Sequence, residues 1–295
     1  MAPKTKLDDM DLSVGKRTRL YRLLYKYGPG RGRALFLPID QGVEHGPVDF
    51  FTNPDAADPT FQLKLAQRGG YSGIVFHVGV AAKYMKAFAG RVPLILKING
   101  KTTVPPDNLA FSPLAASVED AVRLGADAVG YTLYLGSPAQ DRDIAQAGEV
   151  RSDCQRYGMP LIIWSYPRGE AIETKGGRDS LYAIDYAARM ACEIGADMVK
   201  LNVPKLDEKH TASCPAPYNE LKPSLAEAVN RIVDSAGKTL VLISGGSKMG
   251  DEDLLEKAKL CLDAGVTGLI FGRNMWQRKM DDALAITKRI KELMR

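Results

Sequence analysis

The stretch ACEIGADMVKLNVP, residues 191–204, decides how the chain is read. It holds the end of a helix, a glycine that stops it, and a short apolar run containing Lys200. A strand apolar at nearly every position is buried on both faces, as parallel strands covered by helices are. The same order of events recurs at LGADAV (124–129) and AGVTGL (264–269), and more loosely at RGGYSG (68–73). A helix, a glycine turn and a buried strand, repeated, describe a β/α architecture.

Counting such runs gives eight: 34–40 (ALFLPID), 73–77 (GIVFH), 93–98 (PLILKI), 127–132 (DAVGYT), 160–166 (PLIIWSY), 197–202 (DMVKLN), 239–244 (TLVLIS) and 267–272 (TGLIFG). Helical segments lie between them, such as 117–124, 181–194 and 251–264, the last opening on acids that suit a helix N-terminus. Eight β/α units in about 260 residues predict a closed (β/α)8 TIM barrel over residues 34–295. The rival, a doubly wound open sheet, usually has fewer strands, and no G-x-G-x-x-G follows the first strand here. Residues 1–33 form an N-terminal extension. Its amphipathic run TRLYRLLYKYG reads as a helix lying on the barrel or at a subunit contact.

The 295 residues carry a formal charge of +5, and the basic residues are scattered apart from GKRTR at 15–19. That run reads as a solvated face, so no nucleic-acid partner is expected; a modest positive field suits anionic metabolites. The 4 cysteines form no C-x-x-C pair, which points away from a zinc cage or a disulfide framework. No apolar run is long enough for a membrane span and the first residues carry no signal core, so a cytoplasmic protein without a membrane partner is expected.

In such barrels the chemistry sits where the strands end. The ends read Asp40, His77, Lys97, Tyr131, Trp164 with Tyr166, Lys200, Ser244-Gly245-Gly246, and Gly272-Arg273. Alternation puts Trp164 and Tyr166 on one face of their strand, beside Lys200 on the next. A lysine there is partly desolvated, and Lys97 adds like charge; both lower its pKa and make it a nucleophile for a ketone. The other reading is that Lys200 fills an ion pair at the barrel mouth with Asp40. Glycines at 245, 246 and 272 allow backbone N–H groups to approach an anion, and Arg273 adds a forked donor. Loops after strands seven and eight are the habitual phosphate site of this fold. The run DQGVEHGP (40–47) holds an Asp, a Glu and a His, but no second histidine cluster exists, so a metal site is the weaker reading.

Six stretches together, IDQGVEHGP (39–47), LKINGKT (96–102), WSYPRG (164–169), GADMVK (195–200), ISGG (243–246) and FGRNMWQR (271–278), resemble the archaeal-type class I fructose-bisphosphate aldolases, in order over residues 34–290. That wider family also holds an autoinducer-phosphate thiolase and a heptulosonate synthase. The resemblance implies that Lys200 forms the Schiff base and Tyr166 is the general acid/base. Trp164 would line the sugar site, and Asp40 would contact the substrate or the lysine. Ser244, Gly245, Gly246, Gly272 and Arg273 would be the phosphate loops. It further implies sugar phosphates as the small-molecule partners, no metal or other cofactor, and a homo-oligomer, commonly a decamer. Lys97 is read as lowering the Lys200 pKa or binding substrate. The segment LNVPKLDEKHTASCPAPY (201–218) departs from the short archaeal enzymes, and so does the N-terminal extension. The expected reaction is reversible cleavage of fructose bisphosphate to dihydroxyacetone phosphate and glyceraldehyde phosphate. The alternatives are another Schiff-base enzyme of that family, a non-catalytic sugar-phosphate-binding barrel, and a metal-dependent aldolase.

Overall fold

A computed structural model describes residues 3–295; residues 1 and 2 of the N-terminal extension lie outside it. Eight parallel strands close into a barrel in chain order: β1 (Ala34–Pro38), β2 (Gly73–His77), β3 (Leu94–Lys97), β4 (Ala128–Leu135), β5 (Leu161–Pro167), β6 (Met198–Leu201), β7 (Leu240–Ser244) and β8 (Gly268–Ile270). The ring is sealed by Ala34, Leu35 and Phe36 pairing with Gly268, Leu269 and Ile270. Gly268 is needed at that seam, because a Cβ there would lie 2.4 Å from the Ala34 carbonyl oxygen. The repeated glycine signal has the cause expected of it: Gly125, Gly195 and Gly265 adopt φ of 66°, 96° and 92°, where L side chains are strained. No helix is long and apolar enough to cross a membrane among the described residues.

Side chains alternate between two cores. The outward set, including Leu35, Ile74, Val129, Ile163, Val199 and Ile243, packs beneath the helical ring. The inward set, Phe36, Val75, Ile95, Ala128, Ile162, Trp164, Met198, Leu242 and Ile270, fills the barrel. The N-terminal segment completes this inner core. Its helix Val14–Tyr21 continues into a wider turn, Arg22–Lys26, and Leu20, Leu23 and Leu24 are buried against the barrel interior. Each such burial stabilises the fold by about 1.5–3 kcal/mol. The extension therefore lies on the barrel as its floor, the first of the two placements open to it. Lys16 adds a buried ion pair, with its ammonium 2.7 Å from Asp197 at the foot of β6. Asp197 also accepts from the Leu161 N–H at 2.8 Å and so ties β5 to β6.

Several strand ends differ from the sequence reading by one to three residues, and two of the differences bear on mouth residues. β1 stops at Pro38, so Asp40 stands beyond the strand as the residue before the short helix Gln41–His45. β4 runs on to Leu135, and Tyr131 is not a mouth residue. It shares the outward face with Val129 and Leu133, and its hydroxyl donates to Asp143 Oδ1 at 2.7 Å. Thr132 and Tyr134, on the opposite parity, reach the mouth instead.

Candidate active site

Of the strand-end residues singled out from the sequence, all but Tyr131 line one cavity of about 550 Å³ at the C-terminal end of the barrel: Asp40, His77, Lys97, Trp164, Tyr166, Lys200, Ser244, Gly245, Gly246, Gly272 and Arg273. The β5–β6 register pairs Trp164 with Lys200. The Lys200 ammonium lies 5.3 Å from the centres of both the Trp164 and the Tyr166 rings. Lys97 approaches Trp164 from the other side, at 5.6 Å. Room for this sandwich comes from Gly130 on β4. A Cβ there would lie 2.7 Å from the Trp164 ring and 3.2 Å from Lys97 Cδ. Asn99 anchors the end of β3: it accepts the Thr132 N–H at 2.7 Å, and its amide donates to Thr132 and Ser112 carbonyls. Its own carbonyl accepts from Lys97 Nζ at 2.9 Å.

The two lysines are electrostatically distinct. Asp40 Oδ2 is 3.8 Å from Lys97 Nζ, so the mouth ion pair belongs to Lys97. Lys200 has no ion-pair partner among the described residues. Burial pulls Lys200 down to about 8, the Asp40 and Glu44 carboxylates oppose this, and Arg273 adds to it. Burial likewise brings Lys97 to about 8, against Asp40 and Glu44 and helped by Lys200. Arg273 therefore adds to Lys200 a like-charge effect of the kind expected of Lys97, and the two lysines repel each other. Burial, Asp40 and Glu44 raise the Tyr166 phenol, with Arg168 and Arg273 opposing, so it is protonated in the free protein.

On the far side, the loops after β7 and β8 are stitched together by Asn274. Its Oδ1 accepts the Met249 N–H at 2.9 Å and its amide donates to the Ser247 carbonyl at 3.1 Å. Gly245 lets Asn274 pass, since a Cβ would meet its Nδ2 at 2.8 Å. Ser244 Oγ donates to Asn202 Oδ1 at 2.6 Å. Arg273 opens the short helix Arg273–Trp276, and its guanidinium has no hydrogen-bond or ion-pair partner among the described residues.

The cavity also collects groups the sequence reading left out. Asp107 gathers Lys101 at 2.6 Å, Arg168 at 3.5 Å and Arg178 at 3.8 Å. Lys205 pairs with Asp179 at 3.0 Å, and its N–H donates to the Asp179 carbonyl at 2.7 Å. These two bonds clasp the excursion after β6 to the loop after β5. That excursion contains the helix Glu208–Ala212 and is held at its far end by Tyr218 donating to Asp185 at 2.8 Å. Arg168 sat in view beside Tyr166; Arg178 and Lys205 carried no strand-end signal, because loops place them. His45 is held by Asp49 at 2.7 Å, and no group of three or more potential metal-ligating side chains converges among the described residues.

The description "DeoC/LacD family aldolase" matches residues 34–278. The chain is 40% identical over 265 residues to a class 1 fructose-bisphosphate aldolase of Thermoproteus tenax, covering 90% of each. It is 36% identical to a protein of the same name from Halobacterium salinarum, over 84% of this chain and 86% of that one. It superposes with a TM-score of 0.79 on an archaeal fructose-1,6-bisphosphate aldolase whose catalytic lysine is covalently bound to the carbinolamine intermediate of the substrate. The sequences are 37% identical there, over 94% of this chain and 98% of that one. With its barrel closed and a buried lysine at the mouth, this chain belongs to the DeoC/LacD family of aldolases.

Proposed function

We propose that the chain is a class I, Schiff-base fructose-bisphosphate aldolase, and that Lys200 is its nucleophile. The observation that carries this is a buried amine at about 8 with no carboxylate paired to it, held between two aromatic rings. Such a nitrogen is uncharged in about a tenth of molecules at pH 7, far more than an ordinary lysine, and that fraction attacks the C2 ketone. The carbinolamine loses water to give an iminium, which accepts the electron pair of the breaking C3–C4 bond and becomes an enamine. The C4 hydroxyl must lose its proton as the aldehyde leaves, and Tyr166 is placed to take it. The phenol is held protonated in the free site; it gives that proton to the hydroxyl that leaves the carbinolamine as water, and the iminium so formed, 5.3 Å from the ring centre, favours the phenolate. Tyr166 then returns the proton to the enamine carbon. Hydrolysis of the second iminium releases dihydroxyacetone phosphate and restores the lysine.

The charge of the cavity suits a bisphosphate. Eight cationic side chains and four carboxylates line it. Ser244, Gly245, Gly246, Gly272 and Arg273 on the β7–β8 side hold the ketone-side phosphate. Arg168, Arg178 and Lys205, from loops after β5 and β6, face the other. Binding energy spent on these non-reacting ends aligns C2 with the amine. The chemistry needs no metal. A homo-oligomer is part of the same reading, supported by the apolar surface at Phe51 and Val104, 76% and 91% exposed.

The test is borohydride reduction in the presence of dihydroxyacetone phosphate, followed by peptide mass mapping. A stable adduct on Lys200 is expected. An adduct on Lys97 alone, or none, refutes the assignment.

A further inference from the structure

We infer that His77 is a positioning residue that decides which of the two buried lysines is the nucleophile, by fixing Asp40 against Lys97 and away from Lys200. The inference rests on the aldolase reading above and adds a residue to it.

The argument starts from a competition. Two buried ammonium groups face one mouth carboxylate, and whichever amine that carboxylate approaches keeps its proton more firmly. In the structure Asp40 is 3.8 Å from Lys97 and makes no ion pair with Lys200. Nothing in the Asp40 side chain itself dictates this choice. Asp40 lies past the end of β1, with φ −89° and ψ −12°, so the direction of its side chain follows from whatever anchors that turn.

The anchor is His77. It ends β2, between the ends of β1 and β3, and its register partner on β3 is Lys97. Its Nε2–H donates to the Asp40 backbone carbonyl at 3.1 Å. The ring is clamped from above by Gly100, where a Cβ would lie 3.1 Å from His77 Cε1 and 3.2 Å from Val43 Cγ1. Three consecutive strand ends are therefore tied in series, Asp40 to His77 by a hydrogen bond and His77 to Lys97 by strand pairing. With this tie in place the carboxylate falls on the Lys97 side.

The charged groups around the three residues are consistent with an uncharged imidazole acting as donor. His77 faces Asp40 and Lys97; burial and Lys97 hold it below its ordinary range, against Asp40. Lys97 faces Asp40, Glu44 and Lys200, and Lys200 faces Asp40, Glu44 and Arg273 with Tyr166 beside it. A tie made by a neutral ring adds no further cation beside the two buried amines of a mouth already rich in positive charge.

The test compares His77→Ala, His77→Gln and the parent enzyme. Two readouts are taken against pH: kcat/KM for fructose 1,6-bisphosphate cleavage, and the residue labelled by borohydride with dihydroxyacetone phosphate. In His77→Ala, Asp40 is free to approach Lys200, so the acid limb of kcat/KM moves up by about one pH unit and part of the label passes to Lys97. His77→Gln places an amide N–H near the position of Nε2 and returns both readouts toward the parent. Should His77→Ala fail to fold, His77→Asn, whose amide is too short to span the gap, takes its place in the comparison. Equal loss of rate in the Ala and Gln variants, with the limb unmoved and all label on Lys200, overturns the inference and leaves His77 a packing residue. A parent enzyme that labels nowhere refutes the aldolase reading itself, an outcome the variants do not imitate.

Discussion

The Lys200 ammonium and the Tyr166 ring are 5.3 Å apart, on adjacent strands, inside one cavity. The pair couples a nitrogen that burial discharges to a phenol that burial keeps protonated. In the free site the amine therefore gives up its proton before the phenol does; in the proposed mechanism the iminium reverses that preference.

Replacing Tyr166 with Phe separates these roles. Steady-state cleavage should fall by about 10²–10⁴, the usual size of a positioned acid or base. Borohydride trapping of dihydroxyacetone phosphate on Lys200 should persist at a slower rate, because attack on the ketone needs only the amine and solvent can supply the proton for loss of water. Loss of trapping in parallel with turnover would mean that Tyr166 acts by shaping the pocket.

The pH profile follows from the depressed amine. Lys200 is charged below about 8 and neutral above it, so kcat/KM should climb roughly tenfold per pH unit below that value and flatten above it. Stability carries the same sign. The unfolded lysine binds its proton up to its ordinary pKa and the folded one releases it earlier, so stability rises with pH between about 8 and 10. Removing the charge with Lys200→Met should therefore abolish activity while stabilising the fold at pH 7 by about 2–3 kcal/mol, read from denaturant midpoints. A less stable variant would contradict the desolvation account.

Phosphate recognition can be split by substrate. Lys205→Met and Arg178→Met should each raise KM for fructose 1,6-bisphosphate by about 10- to 100-fold, the worth of a charge-assisted hydrogen bond. Cleavage of fructose 1-phosphate should be little affected. Arg273→Met should impair both substrates. A uniform effect of all three variants on both sugars would remove the two-ended reading of the cavity.

Prolonged treatment with a strong chelator should leave turnover unchanged, since the electron sink is the iminium. Loss of rate that zinc or another divalent ion restores would instead favour a metal-dependent route.

Much of the barrel was legible because its signals are local. Gly195, Gly125 and Gly265 mark turns by backbone geometry, and parallel strands announce themselves by continuous apolarity. Strand-borne site residues followed from parity, as with Trp164, Tyr166 and Lys200. Parity also exposes the one error of this kind: Tyr131 was assigned to the mouth because β4 was ended too early, and three more residues put it outside. Groups set by loops gave no such handle. Asp107, Arg178 and Lys205 reach the cavity only through tertiary contacts, and Lys97 takes Asp40 only because of a turn that propensity does not describe.

The floor of the barrel has a consequence for synthesis. Leu20, Leu23 and Leu24 leave the ribosome before any strand of the barrel, yet the cup that receives them is complete only when β8 pairs with β1. Until then a sticky leucine ridge must wait unsheltered, open to chaperones and to neighbouring nascent chains. Moving that segment to the other end of the polypeptide by circular permutation would shorten the wait.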